Sequence, residues 1–285
     1  MSDDAGPEPG SPAGPWGSRD GAAPAPAAPA ASVAVESSTP ADQGPSVLWN
    51  LVSTALLAVF LAWQSNWDWL WPLAAVTGVF VHEYGHVLAI NAFGCGPGRI
   101  RIVPFVGGAA YPRIPPPTEF KGVIIALAGP VFGLLAALPF FGAAIWTGNA
   151  YWLEGVFVVA AINLINLLPA PPLDGSKALG PALARIHPWV ERGAVIVIGA
   201  VAAAWALWTG RYIFALFIVL GVVGLVRRGG AIRPFALKLT GGEFALSLGF
   251  YAVAIALCIA VLWVVALVSG HADDPFGMLL ALVSR

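Results

Sequence analysis

His82-Glu83-Tyr84-Gly85-His86 has residue types and spacing that can do chemistry. On an α-helix, positions i and i+4 share a face, so His82 and His86 point the same way. Two imidazoles so placed can bind one zinc ion, and the intervening Glu83 can act as general base toward an attacking water. The chain has four histidines, and two of them fall at this spacing around a glutamate. The motif lies in the apolar run 69–93, which is long enough to cross a bilayer. Ionisable groups are costly inside a membrane, so their presence there marks a functional site.

Two histidines leave zinc short of partners, because catalytic zinc usually takes three protein ligands plus water. No further histidine follows closely after His86; His187 sits in a proline-flanked polar loop and His271 near the chain end, where both read as solvated. Cys95 reads as a loop thiol and Cys258 as a small apolar residue, with no disulfide framework. A carboxylate is the better candidate. The segment Asn163-Leu-Ile-Asn166-Leu-Leu-Pro169-Ala-Pro171-Pro172-Leu173-Asp174-Gly175 carries one acid, Asp174, just after an apolar helix that prolines must stop. Two readings are open at Asp174: it caps the next helix at Ser176-Lys177, or it turns back into the bundle as the third ligand. The histidine pair favours the ligand.

These residues need a frame, and composition supplies it. The chain is 58% hydrophobic and 10% charged over 285 residues, with mean hydropathy +0.80, whereas soluble domains carry about 25% charged residues. We expect an all-α polytopic membrane protein. Apolar runs fall at about 46–64, 69–93, 121–147, 151–168, 192–209, 211–227 and 243–269, which predicts six to seven transmembrane helices. Residues 1–45, rich in Ala, Pro, Gly and Ser with six acids and one Arg, are expected to form a disordered tail. With that tail inside and the spans alternating, twelve of the fourteen Lys and Arg residues fall on the inside. That bias predicts a cytosolic N-terminus and a motif near the cytosolic face. No basic patch with interleaved aromatics appears, which argues against a nucleic-acid partner.

Residues 95–120 interrupt the helical pattern with glycines and prolines. Arg99 to Tyr111 alternates like a strand and then meets Gly107-Gly108, a turn signal. Backbone of this kind is tolerated near a membrane only where protein or a wet cavity satisfies it. The expectation is a short membrane-associated β-hairpin near the active site, with an ordinary loop as the alternative.

Together, H-E-Y-G-H and N-L-L-P-A-P-P-L-D-G resemble the site-2 protease family of intramembrane zinc metalloproteases (peptidase family M50). That family pairs an HExxH in one transmembrane helix with N-x-x-P-x-x-x-L-D-G in a later one. Ala128-Gly129-Pro130 is similar to another recurring element, with Gly133 where an Asn is often seen. The resemblance covers a core at 46–180, leaving further helices at 181–270 and a short exterior tail at 271–285. It implies that His82, His86 and Asp174 ligate one zinc ion, that Glu83 is the catalytic base, and that Asn166 positions substrate or stabilises the oxyanion. It further implies a multi-pass protein of the cytoplasmic membrane acting on a single-span membrane protein or a signal-peptide remnant. A non-proteolytic pseudoprotease and a metal transporter are the competing classes. Intact Glu83 argues against the first. Clustering of the polar groups near one face argues against the second.

Overall fold

The computed structural model describes residues 47–103, 107–227 and 237–270. The two predicted tails, and the basic residues Arg228 and Arg233, lie outside them. Nine helices and one hairpin are described: α1 (Val47–Gln64), α2 (Leu70–Ala92), β1 (Arg99–Val103), β2 (Gly107–Tyr111), α3 (Glu119–Gly133), α4 (Leu138–Thr147), α5 (Trp152–Asn166), α6 (Asp174–Ile186), α7 (Pro188–Trp208), α8 (Tyr212–Arg227) and α9 (Gly241–Val268).

Five helical stretches are long and apolar enough to cross a membrane: α1, α2, the continuous stretch Glu119–Thr147, α7 and α9. The last part of the third is reached through a 3₁₀ turn at Leu134–Ala137, just past Pro130 and Gly133. Two further apolar helices, α5 and α8, are shorter, at 15 and 16 residues. At 1.5 Å per residue each spans only about 22–24 Å, less than the ~30 Å hydrocarbon core. The sequence count of six to seven therefore resolves into five full-length candidates and two short helices. The 192–227 region divides in two, with the break between Trp208 and Tyr212. Helix α6 is amphipathic and is not among the candidate spans.

Helix α2 sits at the centre, packed against α1, α3 and α5, while α9 closes the far side against α3, α5 and α6. The core is built from small and branched residues: Ala74, Ala75, Val156, Phe157, Val159 and Ala160 are all buried. Glycines let α2 and α3 approach closely. A Cβ added at Gly85 would lie 2.6 Å from the Ala128 carbonyl oxygen. Without a water-driven hydrophobic term between helices in lipid, close backbone approach of this kind is what holds membrane helices together.

The hairpin predicted between Arg99 and Tyr111 is present as an antiparallel pair, with Ile102 opposite Gly108 and Ile100 opposite Ala110. Gly107 and Gly108, read from sequence as a turn, belong to β2 instead. The outer edge of β1 is not left open. The Asn50 side chain donates to the Ile100 carbonyl at 3.2 Å and accepts from the Ile102 N–H at 3.1 Å, as a neighbouring peptide group would. Trp49 Nε1–H adds a bond to the Ile102 carbonyl at 3.2 Å. Because Ile100 and Ile102 turn their backbone groups toward α1, their partners Ala110 and Gly108 turn theirs outward from the other edge. Helix α1 thus seals one side of the hairpin, and among the described residues nothing pairs with the outer edge of β2.

Removing the Asn50 amide leaves two backbone groups without partners, at about 1–3 kcal/mol each. Asn50→Ala should therefore raise amide hydrogen exchange at Ile102 by roughly 10-fold or more, read by mass spectrometry in detergent or nanodiscs. Unchanged exchange would mean that Asn50 does not hold the strand.

Candidate metal centre

His82, Glu83 and His86 lie two-thirds of the way along α2, on the stretch that faces α3, α5 and the hairpin. Asp174 opens α6, and its own carboxylate makes no cap bond; Leu173 is the N-cap residue. The loop between α5 and α6 instead delivers Asp174 to the histidines. Its Oδ2 lies 2.9 Å from His82 Nε2 and 3.0 Å from His86 Nε2, and the two Nε2 atoms are 3.1 Å apart. All three residues are buried, at 3–6% exposure. These atoms could hold a metal ion, and a tetrahedral zinc with bonds of about 2.05 Å would set its ligands about 3.3 Å apart.

The hydrogen bonds behind the ligand atoms fix which nitrogen carries the proton. Asn163 Nδ2 donates to the Val159 carbonyl at 2.8 Å, which turns Asn163 Oδ1 toward His82 Nδ1, 2.9 Å away. His82 must then carry its proton on Nδ1. His86 Nδ1 is 2.7 Å from the Ile125 carbonyl and carries its proton there for the same reason. Both Nε2 atoms are left with lone pairs pointing at each other and at a carboxylate oxygen. Three lone pairs converging in a buried place repel unless a cation lies among them, so the donor set fits a metal. A second sign is Glu83, whose Oε2 is buried with no hydrogen-bond partner. A buried, unpaired carboxylate oxygen beside such a triad is a place for a reacting water.

Lys177 takes the other oxygen of Asp174, with Nζ 2.8 Å from Oδ1. Burial alone would push the Asp174 carboxyl up; the Lys177 ammonium acts most strongly against it, and the carboxyl is held below the usual carboxylate range. In return the carboxylate holds the Lys177 ammonium above its ordinary value. Asp174 is therefore kept ionised, as a ligand must be, and Oδ2 is left for the centre.

Glycines clear the space. A Cβ at Gly129 would lie 2.3 Å from His86 Nε2, one at Gly133 2.1 Å from Asn163 Oδ1, and one at Gly108 2.4 Å from Glu83 Cγ. Gly133, where the resemblance leads one to expect Asn, is thus the gap that admits the Asn163 amide. The hairpin lies over Glu83 at Gly108.

His82, His86 and Asp174, singled out in the sequence, come together, with Glu83 beside them. Asn166 does not join them: its Nδ2 donates to the Ile162 carbonyl, 3.0 Å away on its own helix. Asn163, one turn earlier, makes the contact to His82 that sequence reasoning missed. The only signal was a polar residue in an apolar helix. The Lys177 pairing was missed too, although Asp174 and Lys177 stand three apart on one helix, a spacing at which side chains meet.

Residues 52–171 match the family model described as Peptidase M50B-like. Over this stretch the chain is similar to that family. The match ends three residues before Asp174, whose Leu-Asp-Gly continues the family's second motif. A protein of Mycolicibacterium smegmatis, provisionally named zinc metalloprotease Rip2, is 31% identical over 151 residues, covering 46% of this chain. The chain spans 56% of that relative's length. No solved structure matches the chain at a significant level.

Gly129→Ala should displace the His86 ring and lower metal affinity by about 10-fold or more, with helix content by circular dichroism unchanged. Asn163→Ala should weaken the metal by a similar 10–100-fold, because His82 loses the acceptor that fixes its tautomer. Metal titration of the purified protein reads both, and wild-type affinity in either variant would remove that residue from the site.

Proposed function

We propose that this protein is an intramembrane zinc metalloprotease that hydrolyses peptide bonds of membrane-spanning substrates near the cytosolic face. The observation that carries the reading is the convergence of His82 Nε2, His86 Nε2 and Asp174 Oδ2 within 3.1 Å, beside the unpaired Glu83 carboxylate. His82, His86 and Asp174 would hold the zinc ion, which when bound polarises a scissile carbonyl and acidifies a water. Glu83 accepts the proton of the attacking water and hands it to the leaving amine. Its burial removes competing solvent from that transfer.

Substrate geometry follows from the hairpin. A membrane helix has its backbone groups paired internally, so a segment must unwind before it can be cut. The outward groups of Gly108 and Ala110 offer it a strand to pair with, and Gly108 lies against Glu83. An extended peptide added to β2 would therefore run beside the base. Asn166 would serve the substrate or its oxyanion through the second N–H of its amide, the first being given to the Ile162 carbonyl. The Lys and Arg distribution supports a multi-pass protein of the cytoplasmic membrane with its N-terminus inside. The substrate class we favour is a single-span membrane protein or a signal-peptide remnant left in the bilayer.

Glu83→Gln should abolish cleavage, a loss of at least about 100-fold, while zinc stoichiometry stays at the wild-type value. Asp174→Asn should lose zinc affinity as well as activity. Comparing membrane peptides from cells carrying wild type and Glu83→Gln reads the first, through build-up of a single-span fragment; full turnover by Glu83→Gln would refute the mechanism.

A further inference from the structure

We propose that Tyr251 of α9 is a positioning residue for Asp174, acting through the carbonyl of Leu167; the proposal rests on the metal-site reading above. The need for it arises from the prolines. In a continuing helix the Leu167 carbonyl would accept from the N–H of residue 171, but Pro171 has none. The N–H groups nearby are committed elsewhere: Leu168 to Ile165 at 3.0 Å, Ala170 to Leu168 at 2.8 Å, and Leu173 to Ala170 at 2.9 Å. Leu167 is 1% exposed, so a bare carbonyl there would be costly. The Tyr251 hydroxyl donates to it.

On its other side the same carbonyl carries Gly175. A Cβ built at Gly175 would lie 2.0 Å from Leu167 O, so the glycine α-carbon rests directly on that oxygen. Gly175 is peptide-bonded to Asp174. The contact therefore runs from the Tyr251 hydroxyl to the Leu167 carbonyl, to the Gly175 backbone, and to the third ligand. A carbonyl free to rotate would move Gly175 and carry Oδ2 away from the two imidazoles. Helix α8 backs the same loop, since a Cβ at Gly221 would meet the Pro171 carbonyl oxygen at 2.4 Å. Both helices lie beyond the stretch matched by the family, and this is the work that ties them to the site. The Tyr251 ring also packs against the buried cluster that contains Val123, Leu127, Leu167 and Cys258, and loss of the hydroxyl alone leaves the ring to fill that place.

The test is zinc titration of the purified full-length protein, stripped with a chelator, for wild type, Tyr251→Phe, Gly175→Ala and Cys258→Ala. Tyr251→Phe should weaken zinc by about 10-fold, as loss of an outer support does. Gly175→Ala, which presses on the same carbonyl from the other side, should weaken it too. Cys258→Ala, in the same helix and the same packed cluster, should lower Tm yet keep wild-type zinc affinity. Wild-type affinity in Tyr251→Phe overturns the proposal. So does an equal loss in Cys258→Ala, which would trace the effect to general loosening. Should Tyr251→Phe fail to fold, Gly175→Ala decides, and wild-type affinity there overturns the proposal. A wild-type protein that takes up no zinc overturns the metalloprotease reading itself, and the proposal with it.

Discussion

Three lone-pair atoms within 3.1 Å of one another, buried in an apolar bundle, are the constraint on which the rest of this structure depends. Such an arrangement is unfavourable by itself, so every surrounding element must resist its relaxation. Carbonyl and amide oxygens pin the two imidazoles from behind. Lys177 holds the spare oxygen of Asp174. The close packing of α2 against α3 and α5 leaves the rings no room to turn away. Each of these contacts acts on orientation, and orientation decides whether three donors form a site or three separate side chains.

Glycine does much of this by omission. Gly129 admits the His86 ring, Gly133 admits the Asn163 amide, and Gly108 lets the hairpin settle on Glu83. At none of these three is a left-handed backbone at issue. What matters is the missing Cβ, which lets polar side chains from one element lie flat against the backbone of another. A lipid-facing helix can expose leucine or tryptophan freely, as Trp146 and Trp208 do, but the inner faces have no such latitude.

Breaking a helix inside a membrane protein creates unpaired backbone groups, and something else in the fold must take them up. The proline-rich link after α5 is that break. It frees the chain to swing Asp174 toward α2 and leaves the Leu167 carbonyl exposed to the bundle, where Tyr251 meets it. The hairpin poses the same problem at its edges, and Asn50 answers it on one side only. Among the described residues, the edge beside Glu83 has no such partner.

Much of this was legible in the chain. The i, i+4 histidines with their glutamate, the carboxylate after the prolines, the apolar runs and the strand-like stretch from Arg99 are local patterns, set by helical and strand periods that neighbours in sequence establish by themselves. The sequence also determined that Asp174 could be a ligand, though it left the cap reading open. Only the tertiary structure placed the carboxylate beside the histidines, because that depends on where a residue 92 positions away from His82 ends up. For the same reason, Asn163 rather than Asn166 meets His82, Gly107-Gly108 serves as strand instead of turn, and α5 and α8 fall short of full spans. Those outcomes depend on which helix face meets which neighbour, a matter of packing between distant segments that no local period records.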